Sequence, residues 1–253
     1  MSGDKVERIV KVLDYVLKQN HTGVALSPIA ESVSGPLSST HDLLRSMVNA
    51  GLLVVDDRKL YRTGPAFVRL AVAALAQVDI LNAARPLLKR LVQSIEHDAY
   101  LAVRVGSTVT YVERVPGLHR AGLDIRLGDP VPLHSSAVGK LFAAYDADVE
   151  RIVMASDLLA STPNTITTRS ALRAELEGIR ERAFAMSMEE TITGIIGFAA
   201  PVLDLHGGLL AAVHVSAFKD YLANSDIPEI TLQTKACAQA LQDLLNRDSN
   251  PED

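Results

Sequence analysis

The chain has 253 residues, 48% of them hydrophobic, enough for two domains of about 100–200 residues each with ample buried cores. A single cysteine, Cys237, excludes an internal disulfide and a cysteine-based zinc site, and the absence of Trp with only 4% aromatics leaves few ring faces for stacking single-stranded nucleic acid. The net charge of −5 hides an asymmetry: residues 1–77 hold nine Lys/Arg against seven Asp/Glu, and residues 78–253 hold sixteen against twenty-three, so any nucleic-acid contact belongs to the N-terminal third.

The first residues, MSGDKVERIV, lack the apolar stretch of a signal peptide. No apolar run approaches the ~18–20 residues of a membrane span, so no membrane partner is expected and the cytoplasm is the expected location. Over residues 5–19, Val6, Ile9, Val10, Leu13, Val16 and Leu17 recur at helical spacing, and NHTG ends that helix. Ser27 is the expected N-cap of a short second helix, SPIAESV, with Pro28 at its first position and Glu31 one residue beyond capping-box spacing. Gly35-Pro36 breaks the chain before a third helix in LSSTHDLLRSMVNAGLL, with Leu43, Leu44, Met47 and Val48 inward and Gly51 just past its end. LLVV and KLYRT alternate as two short strands around Asp56-Asp57-Arg58. Three helices and a hairpin make the winged helix-turn-helix order, with a purely structural helical module as the alternative. AFVRLAVAALAQVDIL follows as an apolar connecting helix.

Beyond residue 80 the pattern is mixed. Helical periodicity covers about 80–96, strand-like runs follow at AYLAVRV and TVTYVERV around Gly106, and a helix begins near Ser136. Another helix covers 171–184, the strands IGFAAPVLD and LLAAVHVSA are joined by HGG, and a last helix runs over about 228–247. The tail DSNPED is expected to fray.

These residues carry a family resemblance. IAESVSGPLSSTHDLLRSMVNAGLL, YRTGPAFVRLA, PLHSSAVGK, TPNTIT, EETITG, GFAAPVLDLHG and AAVHVS occur in the order of the segments they resemble in the IclR family of bacterial transcriptional regulators. The resemblance covers nearly the whole chain. It implies a two-domain α+β protein: a winged helix-turn-helix over residues 1–66, a linker helix over 67–80, and an α/β GAF-like effector-binding domain over 81–253. It also implies homodimers or tetramers that control catabolic operons in response to small organic molecules.

With the apolar side of the third helix inward, Ser38, Ser39, Thr40, His41, Asp42 and Arg45 are the expected DNA-facing residues. Ser and Thr at a helix start serve a phosphate or cap the helix, and Arg45 suits a phosphate or a guanine edge. Asp42 stands where the family commonly has Arg. It can accept from cytosine N4, or pair with Arg45 three residues on. Arg58 and Lys59 at the hairpin tip reach for the DNA backbone or form a solvated turn. Affinity for random DNA is expected to be low and strongly salt-dependent.

PLHSSAVGK lacks the spacing of a phosphate loop, and its Ser136 and Lys140 are four apart rather than the three of an acyl-enzyme motif. Ser136 as a helix cap, with Gly139 allowing close approach, fits better, and the free N–H groups of that helix start suit a carboxylate. By resemblance, the effector cavity is walled by Val131, Ala137, Val138, Ser187, Ile195, Gly197, His214 and Ser216. His214 replaces the family's common Ser and, if protonated, pairs with an anionic ligand; a structural histidine is the alternative. Ser187 replaces an acid, Gly197 leaves room where relatives are bulkier, and His134 reads as a structural hydrogen bonder. Glu189 and Glu190 resemble a catalytic acid pair, but neighbours in a strand point to opposite faces, so structural hydrogen bonds fit better. No histidine spacing suits zinc, so neither metal nor cofactor is expected.

The reading is a repressor that binds double-stranded operator DNA and answers to a small carboxylated metabolite. The alternative is a cytoplasmic small-molecule-binding or enzymatic α/β protein with a vestigial winged domain.

Overall fold

The computed structural model describes residues 2–19, 23–76, 79–119, 125–223 and 225–248. Its contacts divide the chain into Met1–Val78 and Asp79–Asp253. The NHTG stop falls largely outside the described residues, as do residues 77–78 of the expected linker helix and the end of the tail.

In the first unit, α1 (Ser2–Leu17), α2 (Leu26–Ser32) and α3 (Leu37–Asn49) precede the hairpin β1 (Leu53–Val55) and β2 (Tyr61–Thr63), then α4 (Pro65–Ala76). Val12, Val16, Ile29, Leu43, Leu44, Met47, Leu53 and Tyr61 form its core. The face that α1 buries differs from the expected stripe. Val12 is fully buried, whereas Val6, Val10 and Leu17 are exposed, because α1 carries two apolar stripes and only one meets α2 and the hairpin. The start of α2 also differs. The helix begins at Leu26 behind Ala25, with no side-chain cap, so Pro28 is its third residue and Ser27 does not cap.

The end of α3 follows expectation, with Gly51 left-handed at φ +70°, a conformation that glycine adopts at little steric cost. The hairpin pairs Leu53 with Thr63 and Val55 with Tyr61. Its turn is set by Asp56, whose Oδ1 accepts from the N–H groups of Arg58 (3.0 Å) and Leu60 (2.9 Å). Val24 adds a bridge to Tyr61 that the sequence pattern did not suggest.

The second unit contains α5 (Asp79–Ile95), β3 (Asp98–Val105), β4 (Thr108–Val115), α6 (Ala137–Tyr145), α7 (Ala147–Ala155), α8 (Arg169–Arg182), β5 (Ala185–Met188), β6 (Ile195–Leu203), β7 (Leu209–Phe218) and α9 (Asp226–Asp248). The sheet order is β4-β3-β7-β6-β5, antiparallel throughout. Side chains alternate between its faces. Leu101, Phe198, Val213 and Val215 meet α5 and α9 on one side, and Tyr100, Ala102, Ala199 and Ala212 meet α6 and α8 on the other. A central strand buried on both faces reads as a continuous apolar run, as AAVHV does. The same alternation puts His214 and Ser216 on the α6 side. Glu189 and Glu190 do not lie in a strand: β5 ends at Met188, and Glu189 turns the chain at φ +60°.

Candidate functional site

The outer face of α3 is shorter than expected. Ser38, His41, Asp42 and Arg45 are exposed, but Thr40 is fully buried and departs from the expected DNA-facing set. Its Oγ1 accepts from Arg8 Nη2 at 3.2 Å, so α1 holds it inward. The same guanidinium nitrogen reaches Ser39 Oγ at 3.4 Å, and that hydroxyl donates to the Pro36 carbonyl at 3.1 Å, so Ser39 is occupied locally. Gly35 makes this possible, because a Cβ there would stand 2.7 Å from Arg8 Nη2.

Asp42 and Arg45 do not pair among the described residues. The basic group nearest the Asp42 carboxylate is His41 Nδ1, at 4.0 Å. Both side chains stand in solvent, where an ion pair gains little over hydration. At the hairpin tip, Arg58 and Lys59 are exposed, while Arg62 is tied to Asp56 at 3.1 Å. The cations left uncommitted here are therefore Arg45, Arg58 and Lys59.

In the second unit, the start of α6, the ends of β6 and β7, and residues 125–132 enclose a cavity of about 330 Å³. Val131, Ala137, Ser187, Ile195, Gly197, His214 and Ser216 line it. Val138 does not, since its side chain is fully buried in the core beneath the sheet. Sequence reasoning also missed Tyr111, Arg126, Asp129, Thr191 and Ile192 in the wall. The alternation of TVTYVERV holds the clue to Tyr111, which faces the same side as buried Val109. Arg126, Asp129, Thr191 and Ile192 sit in irregular segments that carry no periodic signal.

Ser136 caps α6 as expected, its Oγ accepting from Gly139 N–H at 2.9 Å. Gly139 is required there, because a Cβ would come within 2.3 Å of the Pro132 carbonyl. Among the described residues the N–H groups of Ala137 and Val138 find no partner in the turn before the helix. These first-turn amides make an anion-binding end, strengthened by the helix dipole.

His214 is 5% exposed and stacks on Tyr111 at 5.3 Å between ring centroids. Burial pushes its imidazole down to about 3, partly offset by a backbone hydrogen bond with Phe198, so burial holds the ring uncharged near neutral pH. Gly197 does not simply widen the cavity either. A Cβ there would meet His214 Cε1 at 3.1 Å and Ala137 Cβ at 3.3 Å, so the missing side chain makes room for the imidazole.

The EETITG segment that carries Thr191 and Ile192 is pinned from three sides. Thr162 and Thr165, in TPNTIT, donate to the carbonyls of Glu189 (2.7 Å) and Glu190 (2.6 Å). Ser187 Oγ donates to the Ser135 carbonyl at 2.7 Å and Thr191 Oγ1 reaches Ser135 Oγ at 3.2 Å. Lys140, 1% exposed, pairs with Glu190 at 2.5 Å and Glu175 at 3.4 Å. Burial raises the Glu190 carboxyl, against the pull of Lys140. Glu189 pairs instead with Lys219 at 2.5 Å, so the two acids serve structure separately. His134 Nε2 lies 3.0 Å from the Leu159 carbonyl, a structural bond. Among the described residues no cluster of His, Cys, Asp or Glu suits a metal ion, and no helix is long and apolar enough to cross a membrane.

A winged helix-turn-helix unit followed by an α/β unit of this topology defines a class of DNA-binding transcriptional regulators. Residues 5–57 match the family model of the IclR helix-turn-helix domain, and residues 72–243 match that of the C-terminal region of the bacterial transcriptional regulator IclR. The chain belongs to the IclR family of bacterial transcriptional regulators.

It is similar to the HTH-type transcriptional regulator XynR of Escherichia coli K12, 24% identical over 239 residues covering 93% of this chain and 94% of that protein. It is also similar to the HTH-type transcriptional repressor AllR of the same organism, 26% identical over 215 residues covering 83% and 79%. Among solved structures, Thermotoga maritima IclR superposes with a TM-score of 0.78 at 26% identity, over 95% of this chain and 98% of that one. An IclR homologue from Microbacterium hydrocarbonoxydans, complexed with 4-hydroxybenzoate, shares the fold at a TM-score of 0.84 and 21% identity, over 94% and 98%. These relatives are named as regulators, so the enzymatic alternative falls away.

Proposed function

We propose that this regulator is a repressor of a catabolic operon, released or engaged by a small carboxylated metabolite bound in the second unit. The observation that carries the reading is the cavity of about 330 Å³ with Ala137, the first residue of α6, in its wall. Its volume lies at the low end of the ~300–1,000 Å³ of small-molecule sites. The name of AllR as a repressor and the 4-hydroxybenzoate complex of the Microbacterium homologue support the same reading. Val131, Ala137, Ser187, Ile195, Gly197, His214 and Ser216 would form the binding wall, with the Ala137 amide at the start of α6 as the anion end.

On DNA, Ser38, His41, Asp42 and Arg45 would read the major groove while Arg58 and Lys59 hold the backbone. The exposed Val6, Val10 and Leu17 on α1 suit a homodimer in the cytoplasm, with two recognition helices about one DNA turn, ~34–36 Å, apart. The effector would shift the population of quaternary arrangements that keep this spacing. The test is fluorescence anisotropy with the gene's own upstream region and with random DNA at physiological salt. Preference for the upstream region is expected, and equal binding to both would overturn the reading.

A further inference from the structure

His214 gives a bound molecule one specific thing to do. Its Nδ1 is buried with no hydrogen-bond partner, yet the residue lines the cavity. The ring lies against Tyr111 and Tyr100, at 5.3 and 5.7 Å between centroids, and its Cε1 edge sits over Gly197. An unpaired polar atom in such surroundings is costly, and a ligand atom that pairs with it recovers that cost. Among the described residues no carboxylate acts on this imidazole, and Arg126 and Asp129 both line the cavity.

The two ends of the cavity therefore ask for different chemistry. The Ala137 amide is a donor at a helix start and suits an anion. At His214 a carboxylate would gain no ion pair, since burial keeps the imidazole uncharged. A hydroxyl both donates and accepts, so it satisfies Nδ1 in either tautomer of the ring. Both residues border Gly197: a Cβ there would stand 3.3 Å from Ala137 Cβ and 3.1 Å from His214 Cε1.

We infer, resting on the effector reading above, that His214 is the specificity-determining residue of the cavity and hydrogen-bonds a hydroxyl of the effector while the effector's carboxylate takes the amides at the start of α6. The cavity thereby selects small hydroxylated carboxylic acids over the same acids without the hydroxyl.

The test uses the full chain and matched acids: butanoate with 3-hydroxybutanoate, and benzoate with 3- and 4-hydroxybenzoate, titrated by calorimetry. In at least one set the hydroxylated acid is expected to bind on the order of ten- to a hundredfold tighter, the range set by leaving a buried polar atom unpaired. His214→Phe, which keeps a flat ring but removes the nitrogen, is expected to erase that advantage. His214→Asn, which restores a polar atom near the place of Nδ1, is expected to return part of it. If the acids bind but hydroxylation changes affinity by less than about twofold in every set, well under 1 kcal/mol, the inference is overturned and the effector reading stands. If none of the acids binds at millimolar concentration, the carboxylate reading fails and takes this inference with it.

Discussion

Asp42 and Thr40 are two residues apart in α3 and illustrate what single positions reveal. The exposure of Asp42 follows from helical periodicity alone, because Leu43, Leu44 and Met47 fix the buried side. The burial of Thr40 does not, because its partner, Arg8, lies 32 residues away and a sequence window cannot register that contact. With no ion pair to Arg45, Asp42 is an exposed acid on the face of α3 proposed to meet DNA. Asp42→Arg is expected to tighten binding to random DNA about tenfold and to narrow the preference for the upstream sequence, read by anisotropy against both DNAs. Unchanged affinity and preference would remove Asp42 from the interface.

His214 also makes a pH prediction. Its folded value, about 3, lies below the ordinary 6.5, so the unfolded chain binds a proton first as the solution acidifies. The stability it contributes is complete above about pH 6.5 and is lost as pH falls towards about 3, at up to about 1.4 kcal/mol per pH unit. His97, lowered chiefly by burial, acts in the same direction. Melting temperature should therefore drop between about pH 7 and about pH 4, and His214→Phe should make that drop shallower. An identical slope in the variant would show that His214 takes no part.

At the scale of elements, most of the second unit was legible. Apolar runs mark β3, β6 and β7, the β-branched TVTYVERV marks β4, and Ser136 with the following apolar run marks α6. The sequence pattern does not mark α7, because DADVERIVMA is short and acidic, and its start depends on Asp146, which accepts from the N–H groups of Asp148 and Val149 and also pairs with Arg104. The role of the family segments became clear only in three dimensions, where TPNTIT and EETITG bond to each other. Two substitutions test this construction. Gly139→Ala should cost at least about 1–3 kcal/mol in urea denaturation, since its methyl meets the Pro132 carbonyl and the backbone must shift. Lys140→Met should cost about 3–5 kcal/mol by leaving Glu190 buried without its cation. A loss below about 1 kcal/mol in either case would mean that the start of α6 is more pliable than its packing implies.

For the whole molecule, the charge asymmetry of the sequence points to the N-terminal third for DNA, and few exposed cations stand on α3 and the hairpin to meet it. Arg45, Arg58 and Lys59 offer three cations per protomer, which predicts a slope of about −2.7 per protomer in log affinity against log salt. A slope twice as steep would mean that cations beyond α3 and the hairpin engage. Chemistry was less legible than architecture, because the cavity gathers residues from segments more than 100 positions apart, Tyr111 and His214 among them. The Arg8 clasp carries the same lesson into genetics. A bacterial selection for operator-blind mutants would be expected to return changes at codon 8 beside those in the recognition helix. Complementation would then sort them: restoring DNA affinity in an Arg8 mutant would require repairing the α1–α3 junction, not adding a new contact to the operator.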